Sequence, residues 1–301
     1  MSDGVERHDP HTAVKTELLV RYLDVWTPTV LRSHRRATYV DCGDGGHAVA
    51  ALRVFGEFAD RLVGHQLDVV VHLTPEEPLM AVLRELGEPP GLSLRSLDVT
   101  DHTVAGPVLA HLDLVGEAPL DEATAWRLVA SMARNKAAEV LLVVPPVAPE
   151  RVLDLRRRLR DAGLGYAVHV ELTDREGRAQ LLLFATKVKK HLVTFKDAMW
   201  AADEYAGIRY RDPRDPEHIL VDIALRPQLH PLRRVLLDEL ARRGRCSVAD
   251  LQQHTLTETI YQPADALRVL ASAATGGTID REPAKGRLTP RTIVRLNRSA
   301  G

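Results

Sequence analysis

The feature that most constrains this chain is a short apolar run that ends in an acid, meets a glycine turn and continues as a helix. Residues 37–41 read as a strand closing on Asp41, Cys42-Gly43-Asp44-Gly45-Gly46 follows, and residues 47–63 return to helical spacing through Ala50, Leu52, Val54, Phe55, Phe58 and Leu62. Such a turn lets the backbone take positive φ and approach a ligand closely, and the helix start behind it offers unpaired amide donors. The alternation then continues. Strands are expected at 67–73, 92–99, 108–114 and 139–144, with helices at 75–86, 121–133 and 150–162, the last closed by Gly163. Strands that alternate with helices predict a doubly wound, Rossmann-type α/β fold with a parallel sheet covered on both faces.

Two further strands, 166–172 and 180–186, are joined by a polar turn and read as an antiparallel hairpin. A terminal hairpin on a parallel sheet is the pattern of the class I methyltransferase variant of this fold. Ahead of it all, residues 11–31 form a helix with Val14, Leu18, Leu19, Tyr22, Leu23 and Trp26 on one face, which Pro28 is expected to end or kink.

Beyond about residue 207 the pattern changes. Residues 209–216 are charged and proline-bearing and read as a linker between a first domain, 1–208, and a second, 217–301. The second has helices at 231–243, 247–254 and 263–274 and two short strands near 278–281 and 292–297, the order of a winged helix. Its tail carries Arg281, Lys285, Arg287, Arg291, Arg295 and Arg298 against Asp280 and Glu282. A local basic wing in a chain of net charge −1 is a candidate contact for DNA or RNA, or else a docking surface for protein. The helix 263–274 offers Arg268 and little else for base reading.

Two cysteines, Cys42 and Cys246, exclude a disulfide scaffold and a multi-cysteine cluster held by this chain alone. The longest apolar run, 140–148, is too short to span a bilayer, so no membrane is expected, and the default location is the cytoplasm. His47, His191, His230 and His254 do not stand at ligand-pair spacing, so no metal is expected.

The glycine turn is the best chemical motif. Asp41, Gly43, Gly45 and Gly46 would face a nucleoside ligand, and the spacing departs from the pyrophosphate-binding G-x-G-x-x-G. The alternative is a strand-to-helix turn that binds nothing. At the end of the second strand, where a ribose-binding acid usually stands, this chain has His72, either a one-bond substitute or a partly buried strand residue. Asp113 closes the fourth strand, where ligand crevices form, and reads equally as a catalytic candidate or a turn carboxylate.

The opening His11-Thr-Ala-Val-Lys15 with Tyr22-Leu23 and Trp26, the turn after Tyr39-Val-Asp41, Asp113 with Gly116, and above all Phe184-Ala-Thr-Lys187 followed by Lys196-Asp-Ala-Met-Trp200 resemble the three-Cys-motif partner proteins (TcmP) in content and order. The resemblance implies a class I methyltransferase-like fold, S-adenosylmethionine as cofactor, a helical C-terminal domain, and a radical-SAM-like iron–sulfur protein with three cysteines as partner. The chain departs from the family pattern in the turn, where Gly43-Asp44 replaces Phe-Ala, after Asp113, where Leu114 and Val115 replace Pro and an aromatic, and at His72. Two functions are therefore open: an S-adenosylmethionine-dependent methyltransferase, or a non-catalytic partner that keeps the fold as a scaffold.

Overall fold

The computed structural model describes residues 9–72, 74–96, 104–116, 119–202 and 207–297. The chain divides into two compact units, Met1–Leu225 and Arg226–Gly301. In the first, α1 (Pro10–Ser33) precedes β1 (Arg36–Cys42), α2 (Gly46–Glu57), α3 (Ala59–Leu62), β2 (Gln66–His72), α4 (Glu76–Glu85), β3 (Leu92–Ser96) and β4 (Val108–Asp113). There follow α5 (Glu122–Met132), β5 (Ala138–Val144), α6 (Pro149–Asp161), β6 (Tyr166–Thr173), β7 (Ala179–Thr186), α7 (Lys189–Ala201), β8 (Arg209–Arg211) and β9 (Val221–Asp222).

The nine strands form one sheet in the order β3-β2-β1-β4-β5-β7-β6-β8-β9. The first five are parallel, β7 runs antiparallel to β5, and β6 pairs with β7 as the expected hairpin. The strand order reverses between β1 and β4, so the carboxyl ends of those two strands flank the switch point at which α/β sheets open a crevice.

Side chains alternate across the sheet, and the alternation sorts chemistry from core. Val40, Cys42, Ala110, Leu112, Val140, Leu142 and Val144 pack with Leu128, Met132, Leu155 and Leu159 of α5 and α6 in a dry apolar cluster. The opposite face of the same strands presents Asp41, His111, Asp113 and Glu139, all buried, toward α1. Glu139 ties that helix down. It accepts hydrogen bonds from the Tyr22 hydroxyl and, at 3.0 Å, from Trp26 Nε1, while His191 Nδ1 of α7 lies 2.7 Å from the same oxygen as the indole. Burial first and the Glu139 charge second push the Tyr22 phenol well above its ordinary pKa, which keeps it a donor. Phe184 and Phe195 stack at 4.0 Å between centroids and Tyr22 meets both edge-on, so α1, α7 and β7 share one aromatic joint.

Three local expectations are corrected. Pro28 neither ends nor breaks α1, because Val30 and Leu31 continue its buried face beyond it. The helix expected over 47–63 breaks at Phe58 into α2 and α3. The stretch 209–216 is no linker: Arg209–Arg211 pairs with Glu171–Thr173 of β6, Arg211 Nε donates to Glu171 at 2.6 Å, and Asp212 Oδ1 lies 3.0 Å from His169 Nε2 and accepts from Arg214. Despite its burial, Asp212 is held far below the usual carboxylate range by His169 and Arg214. The boundary therefore falls after Leu225, later than 208.

The second unit contains α8 (His230–Arg243), β10 (Arg245–Ser247), α9 (Val248–Glu258), α10 (Pro263–Thr275), β11 (Ile279–Glu282) and β12 (Ile293–Leu296). Its three strands form an antiparallel sheet, β10-β12-β11. A capping box between Ser247 and Asp250 starts α9.

Replacing Glu139 by Ala leaves the buried Tyr22 hydroxyl and Trp26 indole without their acceptor and His191 without its partner. The expected loss is about 3 kcal/mol, from charged hydrogen bonds, read as a lower urea midpoint with an unchanged slope.

Candidate functional site

Register brings the crevice residues together. Asp41 of β1 sits opposite His111 of β4 in the parallel pair, and His111 Nδ1 lies 2.8 Å from Asp41 Oδ1. The Tyr39 hydroxyl donates to the same oxygen at 3.2 Å. His47, in the first turn of α2, sets its ring 4.2 Å from that of His111. All of these side chains are buried. Burial, seconded by His111, pushes His47 down to about 3, so it is a neutral imidazole at any working pH.

Asp113, at the end of β4, is matched by the chain itself. Lys15 Nζ of α1 donates to Oδ2 at 2.8 Å, and the amides of Val115 and Gly116 donate to Oδ1 at 2.8 and 3.1 Å. Burial raises the Asp113 pKa, but Lys15, His111 and these hydrogen bonds outweigh it and hold the carboxyl below its ordinary value. Both partners are almost wholly shielded, so this is a buried ion pair and not a surface one.

The glycine turn has three different glycines. Gly45 has φ +88°, and a Cβ there would lie 2.4 Å from Thr74 Cγ2, so the fold itself excludes a side chain. Thr74 also donates to the Gly43 carbonyl at 3.1 Å, which latches the turn to the chain after β2. Gly43 points its missing Cβ between β1 and β4, with 3.5 Å to Asp113 Cβ and 4.0 Å to His111 Cε1. Gly46 is exposed, opens α2, and would bring a Cβ no closer than 3.5 Å to Asp44. Asp44 itself is exposed and bonds the Gly46 amide. His72 is half-buried at the end of β2 beside Cys42.

The structure thus gathers Asp41, Gly43, Gly45, Gly46 and Asp113 at the switch point, with His72 one strand further out. It also shows that Asp41 and Asp113 are already engaged by internal partners. Sequence reading missed Lys15, His111 and the meeting of His47 with His111. A lysine on the apolar face of α1, between Val14 and Leu18, was the available signal for a buried ion pair. No spacing rule would have found the histidines, which stand on different elements.

No family model matches the chain, and no curated protein matches it by sequence. Among solved structures it is similar to magnesium protoporphyrin IX methyltransferase from Synechocystis PCC 6803 with bound SAH, at 14% identity over 62% of this chain and 90% of that one, TM-score 0.38. It is also similar to an O-methyltransferase family 2 protein from Planctomyces limnophilus in complex with apigenin, at 17% identity over 62% and 63%, TM-score 0.37. A third likeness is to EvdMO1, at 14% identity, 58% of this chain and TM-score 0.36, of which the chain spans only 42%. The fold assignment rests on the strand order and not on these likenesses. No helix among the described residues is long and apolar enough to cross a membrane.

Lys15→Met strands a buried carboxylate and is expected to cost about 3 kcal/mol at neutral pH, as breaking buried pairs does. The folded pKa of Asp113 lies below its unfolded value of about 3.9. The pair's contribution is therefore present above about pH 4 and fades as pH falls through the folded value. Urea titrations of wild type and variant should diverge at pH 7 and approach each other as pH falls below about 4; a gap that is independent of pH refutes the ion-pair account.

Proposed function

We propose that this chain is a TcmP-like protein of the class I methyltransferase fold that binds S-adenosylmethionine at the glycine turn. The observation that carries the reading is the position of that turn at the β1/β4 switch point, with Gly43 directed between the strand ends and the exposed Gly46 opening α2. S-adenosylmethionine needs no phosphate cradle, and the departure from G-x-G-x-x-G fits such a ligand. Asp44, exposed in the turn, and His72, half-buried at the end of β2, are polar side chains that would be available to its ribose, and methyl transfer itself asks chiefly for orientation of donor and acceptor.

A second reading, a scaffold without methyl transfer, is favoured by the Lys15–Asp113 pair: every oxygen of the best-placed carboxylate is engaged, and an engaged carboxylate is a poor base. On this reading the protein serves a three-Cys-motif iron–sulfur partner through its surface. The two readings part on ligand binding. S-adenosylhomocysteine at a hundred times its Kd should stabilise the wild type by about 2.7 kcal/mol, seen as a rise in Tm. Gly46→Trp, whose Cβ would make only an ordinary contact with Asp44 at 3.5 Å, should remove the rise while keeping the ligand-free Tm. An unshifted wild type at millimolar ligand leaves the scaffold reading standing.

The second unit supports a winged-helix assignment through its element order and its β10-β12-β11 sheet. A groove of about 570 Å³ between α10 and the wing has an apolar lining that includes Leu267, Ala271 and Leu288, and carries Arg268, Arg281, Lys285 and Arg287; these cations are suited to a phosphate backbone of DNA or RNA. Not every wing cation is available for it. Arg281 braces the wing through the carbonyls of Pro283 and Gly286, and Arg295 pairs with Asp280. Lys285, Arg287 and Arg291 are exposed, and Arg298 lies outside the described residues. Three phosphate contacts predict a log–log salt slope of about −2.7. Arg287→Ala with Arg291→Ala should flatten it by about two units, with little dependence on duplex sequence. No binding at low salt would make this unit a protein-docking surface.

A further inference from the structure

We propose that Asp41, His47 and His111 together bind one divalent first-row transition cation, with zinc the best match. One ligand atom from each of the three lies within 4.8 Å of those of the other two. Two imidazoles and a carboxylate are the donor set of many zinc sites and of sites for neighbouring first-row metals. The site arises from strand register and helix placement: β1 and β4 bring Asp41 beside His111, and the first turn of α2 lays His47 against them.

An independent observation points to a ligand. Asp41 Oδ2, His47 Nε2 and His111 Nε2 are all buried and have no hydrogen-bond partner. A buried polar atom left unmatched is costly, and three residues of one cluster each carry such an atom. A cation accepts lone pairs from all three residues at once. The charge also fits: Lys15 cancels Asp113 next door, which leaves the Asp41 carboxylate with two imidazoles, a net negative pocket. The Tyr39 hydroxyl, bonded to Asp41, then serves as the outer hydrogen bond that aims a ligating carboxylate. The proposal does not depend on S-adenosylmethionine binding, and Gly46, the residue that tests the cofactor, is not among its ligands.

The experiment uses the full-length protein, stripped with chelator and titrated with zinc alone and then cobalt(II) alone. One zinc per chain is expected, with a rise in Tm and visible cobalt(II) bands from nitrogen and oxygen ligands. His47→Phe, similar in volume and unable to ligate, should abolish both. Tyr39→Phe should weaken binding by roughly 10-fold or more, the usual effect of losing an outer-shell partner. Failure of wild type to bind zinc or cobalt(II), or binding that survives in His47→Phe, overturns the proposal. Should that variant fail to fold, the wild-type cobalt spectrum and the Tyr39→Phe affinity decide.

Discussion

Charge buried in a sheet must be matched by a donor brought from elsewhere, and this requirement organises the first unit. Asp68 on β2 accepts from Gln66, Ser93 and Arg95; Asp41 is held by Tyr39 and His111; Asp113 by Lys15; Glu139 by Tyr22 and Trp26; Glu171 by Arg211. Apart from Gln66–Asp68 and Tyr39–Asp41, which lie within one strand, each bond is also a tether between elements. Through Asp113 and Glu139, α1 is fixed at two points to neighbouring strands, and through Glu171 the sheet gains β8. The apolar cluster under α5 and α6 supplies part of the burial, while the carboxylates tie α1 and β8 to the sheet.

The segments that resemble TcmP proteins in sequence take on a different meaning in this light. Tyr22, Trp26, Phe184 and Trp200 lie in or beside the joint between α1, α7 and the sheet: Trp200 meets Tyr210 edge-on, and the other three are bound to Glu139 or to one another. They secure architecture. Of the resembling segments, only the glycine turn, Lys15 and the Asp113 loop reach the crevice.

Most of the first unit was legible because its signals are local. The run into Asp41, the glycine turn and the apolar periodicity of α2 report on neighbours in sequence, and so does the hairpin of β6 and β7. What escaped notice depends on distance along the chain. Lys15 meets Asp113 across 98 positions and His111 meets Asp41 across 70, and no window of periodicity joins them. The short strands β8 and β10 carry three residues each, too few to show alternation, and the prolines around β8 suggested a linker. Gly45 was read as space for a ligand, whereas its positive φ and the Thr74 methyl account for it through the turn itself.

The two-residue β9 has one further consequence. A wide sheet exposes a ladder of unpaired amides and carbonyls at its margin, and that margin can template a neighbouring chain. Here the ladder tapers, from eight residues in β6 to three in β8 and two in β9. The opposite margin, β3, carries Ser93, Arg95 and Ser96 among only five residues. Among the described residues both margins of the sheet are thus short or polar, which disfavours recruitment of a foreign strand even though the central strands are almost continuously buried.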